Sequence, residues 1–207
     1  MNALELLQQS PVMPVIVIKD LGTAVDLARA LVNGGVRSLE ITLRSEAALQ
    51  AINLISRAVP EALIGVGTVR NAQQLAAAIK AGAKFAVSPG LTPELALAAR
   101  QISIPFLPGI ATPSESMYAA DQGFTVQKLF PAEAVGGTTL LKALYGPLPD
   151  LVFCPTGGIN AANAERYLAL PNVKCVGGSW LTPDTMVEEK NWPAITELAR
   201  QACLLRK

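Results

Sequence analysis

Histidine is absent from all 207 residues. That gap removes Ser-His-Asp and Cys-His catalysis, histidine-ligated zinc and imidazole acid/base chemistry from consideration. Proton transfer must rest on Glu, Asp, Lys, Tyr, Cys or water. Cysteine is scarce and odd in number. Cys154, Cys175 and Cys203 lack a paired-ligand spacing, which argues against both a disulfide framework and a zinc site. They read as small buried hydrophobes. Charge is sparse too, at 16% of residues with a formal net of +1. Its even spread offers no electrostatic footprint for nucleic acid or a membrane surface. No run approaches the ~18 to 20 apolar residues of a membrane span. The apolar stretch from Val12 to Ile18 follows Glu5, with no lysine or arginine before Lys19, unlike a secretory leader. Together these absences predict a cytoplasmic protein whose partners are small molecules or copies of itself.

What is present is apolar. Hydrophobic residues are 51% of the chain, so many segments must be buried on more than one face, as parallel strands between helices are. The length suits one domain, 1–207, around one core. A short helix is expected over residues 2–9, broken at Ser10-Pro11. Strands follow at Pro14 to Ile18, Arg37 to Leu43, Ala62 to Val66, Lys84 to Val87, Ile104 to Leu107, around Lys128, at Leu151 to Cys154 and at Val173 to Val176. Between them lie helical patterns with recognisable starts: Ser45 before Glu46 to Ala58, Asn71, Thr92-Pro93-Glu94, and the capping box Thr112-Pro113-Ser114-Glu115. A last helix begins near Asn191-Trp192-Pro193. Eight strands alternating with eight helices at about 26 residues per unit predict a (β/α)8 TIM barrel with a short extra N-terminal helix. A doubly wound open sheet is the alternative from the same pattern.

Each unusual polar or glycine cluster falls just after a strand, where a barrel builds its active site. Thr125 to Leu129 reads as a strand stopped by Pro131, with Lys128 near its carboxyl end. Burial there strips water from the ammonium and favours a free amine nucleophile; a strand lysine snorkelling to solvent is the plainer alternative. Glu40 is an acid inside an apolar strand, which is costly unless a cation such as Arg44 or Lys128 satisfies it. Arg44, at that strand's end, suits a carboxylate ligand, or a salt bridge to Glu46. The turns Thr156-Gly157-Gly158 and Gly177-Gly178-Ser179 follow strands seven and eight, where barrels commonly hold phosphate, although such glycines can simply make tight turns. Lys19 is a rival nucleophile, but Asp20 beside it reads as an ordinary charged strand exit. Together the set describes carbon–carbon bond cleavage of a phosphorylated keto acid through a Schiff base.

The residues Gly35-Val36-Arg37-Ser38-Leu39-Glu40-Ile41-Thr42-Leu43-Arg44, Gly65-Val66-Gly67-Thr68-Val69, Ser88-Pro89-Gly90, Lys128-Leu129-Phe130-Pro131-Ala132-Glu133, Phe153-Cys154-Pro155-Thr156-Gly157-Gly158-Ile159 and Gly177-Gly178-Ser179-Trp180 resemble the bacterial 2-keto-3-deoxy-6-phosphogluconate aldolases, also called 4-hydroxy-2-oxoglutarate aldolases. The resemblance implies a class I aldolase with Lys128 as the Schiff-base lysine and Glu40 as general acid/base. It implies Arg44 and Thr68 on the pyruvyl carboxylate, and Phe130, Pro89 and Thr156 around the bound substrate. Gly157, Gly158, Gly178 and Ser179 would hold the phosphate. It further implies a homotrimer with no metal and no cofactor. One departure is Gln127, where the family pattern usually has an apolar residue; alternation turns it away from Lys128, so a packing change without loss of activity is expected. The competing readings are a sister aldolase for the galactonate epimer, a phosphosugar isomerase or synthase, and a non-catalytic phosphometabolite-binding barrel.

Overall fold

The computed structural model describes residues 1–205, so the last two positions of the expected 1–207 domain lie outside the described residues. Among the described residues there are nine short parallel strands, all but the adjacent β5 and β6 separated by helices: β1 (Val12–Ile16), β2 (Ser38–Thr42), β3 (Leu63–Gly67), β4 (Phe85–Val87), β5 (Phe106–Leu107), β6 (Gly109–Ile110), β7 (Val126–Leu129), β8 (Val152–Phe153) and β9 (Val176–Gly178). The expected closed (β/α)8 barrel is corrected. The strands form two sheets, six in the order β5-β4-β3-β2-β1-β9 and three in the order β6-β7-β8. Prolines mark the division, because each removes one ladder donor. Pro108, just past the expected strand Ile104 to Leu107, separates β5 from β6. Beyond β8, next to Pro155, ladder pairing shrinks to two isolated bridges, Phe153 with Val173 and Thr156 with Gly177.

Helices pack through narrow apolar stripes. In α2 (Ala24–Asn33), which follows α1 (Ala3–Leu7), the buried positions Ala24, Leu27, Ala28 and Leu31 recur three and four apart, one face of a 3.6-residue period. In α3 (Ala48–Ala58) the stripe is Ala48, Ala51, Ile52 and Ile55, and each fully buried Leu or Ile contributes about 1.5–3 kcal/mol. Ser45 does not cap α3: its N-cap is Ala47, without a side-chain cap bond, and Ser45 Oγ is buried without a partner. Asn71, Thr92 and Thr112 do cap α4 (Ala72–Ala81), α5 (Pro93–Ala99) and α6 (Pro113–Asp121), Thr112 in a full capping box with Glu115. α7 (Gly137–Tyr145), α8 (Ala164–Leu168), α9 (Asp184–Glu188) and α10 (Trp192–Cys203) complete the chain. None of the described helices is long and apolar enough to cross a membrane.

Alternation along the strands sorts side chains onto two faces. Val12, Ile16, Leu39, Ile41, Ala86, Phe106 and Leu129 belong to the large cluster shared with the helices. Their neighbours Met13, Phe85, Val87, Leu107 and Val126 form a second cluster, joined by Leu6 and Leu7 of α1. Most of that second group stands at or near strand starts, so α1 seals the amino ends. Further along the same face, toward the carboxyl ends, stand Glu40, Thr42 and Lys128, all buried.

Candidate active site

At the carboxyl ends the strands open into a pocket of about 900 Å³. All eleven residues singled out from the sequence line it: Glu40, Arg44, Thr68, Pro89, Lys128, Phe130, Thr156, Gly157, Gly158, Gly178 and Ser179. Glu40 comes from the middle of β2 and Lys128 from the third position of β7, so the two sheets each supply one member of the central pair. Lys128 Nζ stands 3.2 Å from Glu40 Oε1. Both side chains are buried, at 7% and 2% exposure, a geometry in which a proton can pass between amine and carboxylate. The Phe130 ring lies 5.4 Å from the same nitrogen, a cation–π distance that also fills the apolar side of the pocket.

Glycine makes room for this pair. A Cβ on Gly67 would stand 2.1 Å from Glu40 Oε1, so no side chain fits there while the carboxylate holds its place. In the same way a Cβ on Gly177 would meet Thr156 Oγ1 at 2.1 Å. Thr42 and Arg44 form a chain: Thr42 Oγ1 donates to the Ile16 carbonyl at 2.9 Å and accepts from Arg44 Nε at 3.2 Å. The guanidinium is thereby aimed while its other nitrogens remain available for a planar carboxylate. Thr68 has φ 61°, a left-handed conformation that a β-branched residue adopts only under constraint and that clusters at functional sites.

The turn after β8 carries Gly157 at φ 102° and Gly158 at φ 78°, values open to glycine and strained for other residues. It is laced to the segment after β7: Ala132 N donates to Thr156 O at 2.8 Å and Glu133 N to Gly157 O at 3.1 Å. Gly178 is required differently, since a Cβ there would collide with the Trp180 ring. Among the described residues no group of three His, Cys, Asp or Glu side chains stands close enough to share a metal ion.

Lys19 also reaches the pocket, but at its rim. Its ammonium contacts Asp184 at 2.7 Å and Glu188 at 3.8 Å. The hydrogen bond it donates to Asp184 holds its pKa above the ordinary lysine value, the wrong direction for an amine nucleophile. Asp184 and Glu188 belong to α9, a pocket wall that the sequence pattern missed. A signal existed: Thr182-Pro183-Asp184 repeats the Thr-Pro-acid pattern that opens α5, although here the N-cap is Pro183.

Fold and pocket together define a class: a parallel α/β protein with a buried amine–carboxylate pair where its strands end. Within that class, residues 4–198 match the family model "KDPG and KHG aldolase", and the chain belongs to that family. It is 53% identical over 201 residues to the KHG/KDPG aldolase of Escherichia coli, covering 97% of this chain and 94% of the relative. A solved structure of KDPG aldolase from Legionella pneumophila, with pyruvate captured at low pH as a covalent carbinolamine intermediate, is 48% identical, covers 97% of both chains and superposes with a TM-score of 0.95. That of the Zymomonas mobilis aldolase with 3-phosphoglycerate is 42% identical, covers 98% of this chain and 95% of the other, and gives 0.93.

Proposed function

We infer that this chain is a Schiff-base aldolase that cleaves 2-dehydro-3-deoxy-6-phosphogluconate to pyruvate and glyceraldehyde 3-phosphate, and 4-hydroxy-2-oxoglutarate to pyruvate and glyoxylate. The observation that carries this is the buried Lys128–Glu40 pair at 3.2 Å. Its relatives point the same way: pyruvate is held covalently in the Legionella enzyme, and the Escherichia coli relative is named for both substrates. In this reading the Lys128 amine attacks the substrate's C2 carbonyl, and Glu40 delivers the proton with which the carbinolamine oxygen leaves as water. The resulting iminium withdraws electrons. Glu40, now a carboxylate, takes the proton of the C4 hydroxyl as the C3–C4 bond breaks and the aldehyde departs. The remaining enamine takes that proton from Glu40 at C3, and water releases pyruvate from Lys128. Arg44, aimed by Thr42, holds the pyruvyl carboxylate with Thr68. Pro89, Phe130 and Thr156 surround the bound carbons, and Gly157, Gly158, Gly178 and Ser179 hold the phosphate.

One domain over residues 1–207, a homotrimer and a cytoplasmic location complete the proposal. Light scattering on the purified protein tests the trimer. The chemistry is tested by adding pyruvate and sodium borohydride and mapping the adduct by mass spectrometry. A reduced pyruvyl group on Lys128 is expected. An adduct on Lys19 would move the site, and no adduct on folded protein would overturn covalent catalysis.

A further inference from the structure

Beside the glycine turn stands a three-residue cluster to which the chemistry above assigns no part. Glu133 accepts two hydrogen bonds from Arg166, each at 2.7 Å, and a third from the Tyr167 hydroxyl. Arg166 and Tyr167 belong to α8; Glu133 follows the lysine strand. The Tyr167 hydroxyl first, then Arg166, hold the Glu133 carboxyl below its ordinary range. Burial, reinforced by Glu133, pushes the Tyr167 phenol up to about 12. Around neutral pH the cluster is therefore one carboxylate gripped by two donors that keep their protons.

Its surroundings are built to fit it. A Cβ on Gly158 would lie 2.7 Å from Glu133 Cγ, and one on Gly137 would lie 2.6 Å from the Tyr167 hydroxyl. Both glycines have positive φ. The Glu133 stem thus packs directly beside Gly158, while its backbone N–H holds the Gly157 carbonyl. Asn163 Nδ2 fixes the Gly158 carbonyl at 2.9 Å from the other side. The turn is fastened at both of its carbonyls, and successive backbone N–H groups in a turn of this kind can bind an anion.

We propose that Glu133, locked by Arg166 and Tyr167, is a positioning residue that holds the Gly157-Gly158 turn in its anion-binding shape and so sets the preference for phosphorylated over unphosphorylated substrate. The proposal rests on the phosphate reading of that turn. Glu133 touches neither the amine nor the reacting carbons. Losing its charge should loosen the turn and leave the Schiff base alone.

The test compares Glu133→Gln with wild type on the phosphorylated substrate and on 4-hydroxy-2-oxoglutarate, and measures competitive inhibition by inorganic phosphate. Expected is a rise of about tenfold in KM for the phosphorylated substrate, equivalent to about 1.4 kcal/mol of lost binding. Phosphate inhibition weakens in parallel. KM for the small substrate and borohydride trapping of pyruvate on Lys128 stay at wild-type levels. Glu133→Asp, which keeps the charge, should restore part of the preference. Tyr167→Phe supplies a second variant that retains the buried ring, and a smaller shift in the same direction is expected. An unchanged ratio of the two KM values in Glu133→Gln overturns the proposal, as does an equal rise in both. Ser179→Ala separates the causes: if it shifts the ratio while Glu133→Gln does not, the clamp alone is wrong. If neither shifts it, the phosphate assignment falls as well.

Discussion

The two ends of the strand array share one inner face and do opposite work with it. In β7, Val126 belongs to the apolar floor and Lys128 to the pocket. After β8 begins, Val152 and Cys154 pack in the floor and Thr156 lines the pocket. One pleat repeat, about 6.6 Å, separates dry core from reactive site. The floor is sealed by α1, whose Leu6 and Leu7 are fully buried. At the mouth, space is created by glycines and filled by a charge pair. Burying such a pair brings little net stability, so the floor and the helix stripes must supply what the mouth does not. The division lets chemistry change at one end without repacking the other.

The harshest way to test that division is Lys128→Ala. Turnover should vanish, because the proposed mechanism makes this amine the covalent group. The same substitution leaves Glu40 buried without its cation, so stability should also fall, by up to about 3–5 kcal/mol. Steady-state kinetics and thermal melting read the two effects, and retained cleavage would sink the assignment. At the floor, Leu7→Ala empties a fully buried site and should cost about 2–5 kcal/mol. The melting temperature should drop by about 2–4 °C for each kcal/mol lost. Below the new melting point kcat should be unchanged, and a matching loss of kcat would mean that the ends are coupled.

Between these lies Gly67→Ala. The added methyl group would stand 2.1 Å from Glu40 Oε1, so the carboxylate must swing away from Lys128. A displacement of that size should lower kcat by about 10²-fold, with a smaller change in melting temperature than Leu7→Ala. Wild-type kcat would show that Glu40 acts from more than one position.

How much of this was legible follows from which physics each feature uses. Lys128 and Glu40 are charged residues inside otherwise apolar strands and Arg44 is a cation just past a strand's end, so they stood out. Asn71, Thr92 and Thr112 announced helix starts because capping is local chemistry. The strand division did not show, because ladder pairing depends on partners distant in sequence. Pro108, which separates β5 from β6, sits in a stretch that otherwise reads as a strand and its exit. Gly67 was visible only as part of a motif; its service to Glu40 appears once β2 and β3 are placed in register. Ser45 misled because a good capping residue was present and the chain starts its helix three residues later. The wall at α9 escaped because it buries no residue and so leaves no apolar period.

The mildest prediction concerns Gln127, placed by alternation on the helix side of β7. There it is fully buried, and its amide is satisfied entirely from around α6: Oε1 accepts from Ser116 Oγ at 2.5 Å, and Nε2 donates to the carbonyls of Ser116 and Phe124, each at 2.9 Å. An amide with this many partners joins a strand to the helix that precedes it, and it does so on the face that never meets substrate. Gln127→Leu keeps the volume and strands the Ser116 hydroxyl, so about 1–3 kcal/mol of stability should be lost. Adding Ser116→Ala removes that stranded hydroxyl and should recover part of the loss, since deleting both partners of a buried hydrogen bond is far cheaper than deleting one. Through both variants kcat should hold at the wild-type value. A fall in kcat with Gln127→Leu that Ser116→Ala reverses would instead mean that α6 tunes Lys128 through the strand, joining the helix face to the chemistry.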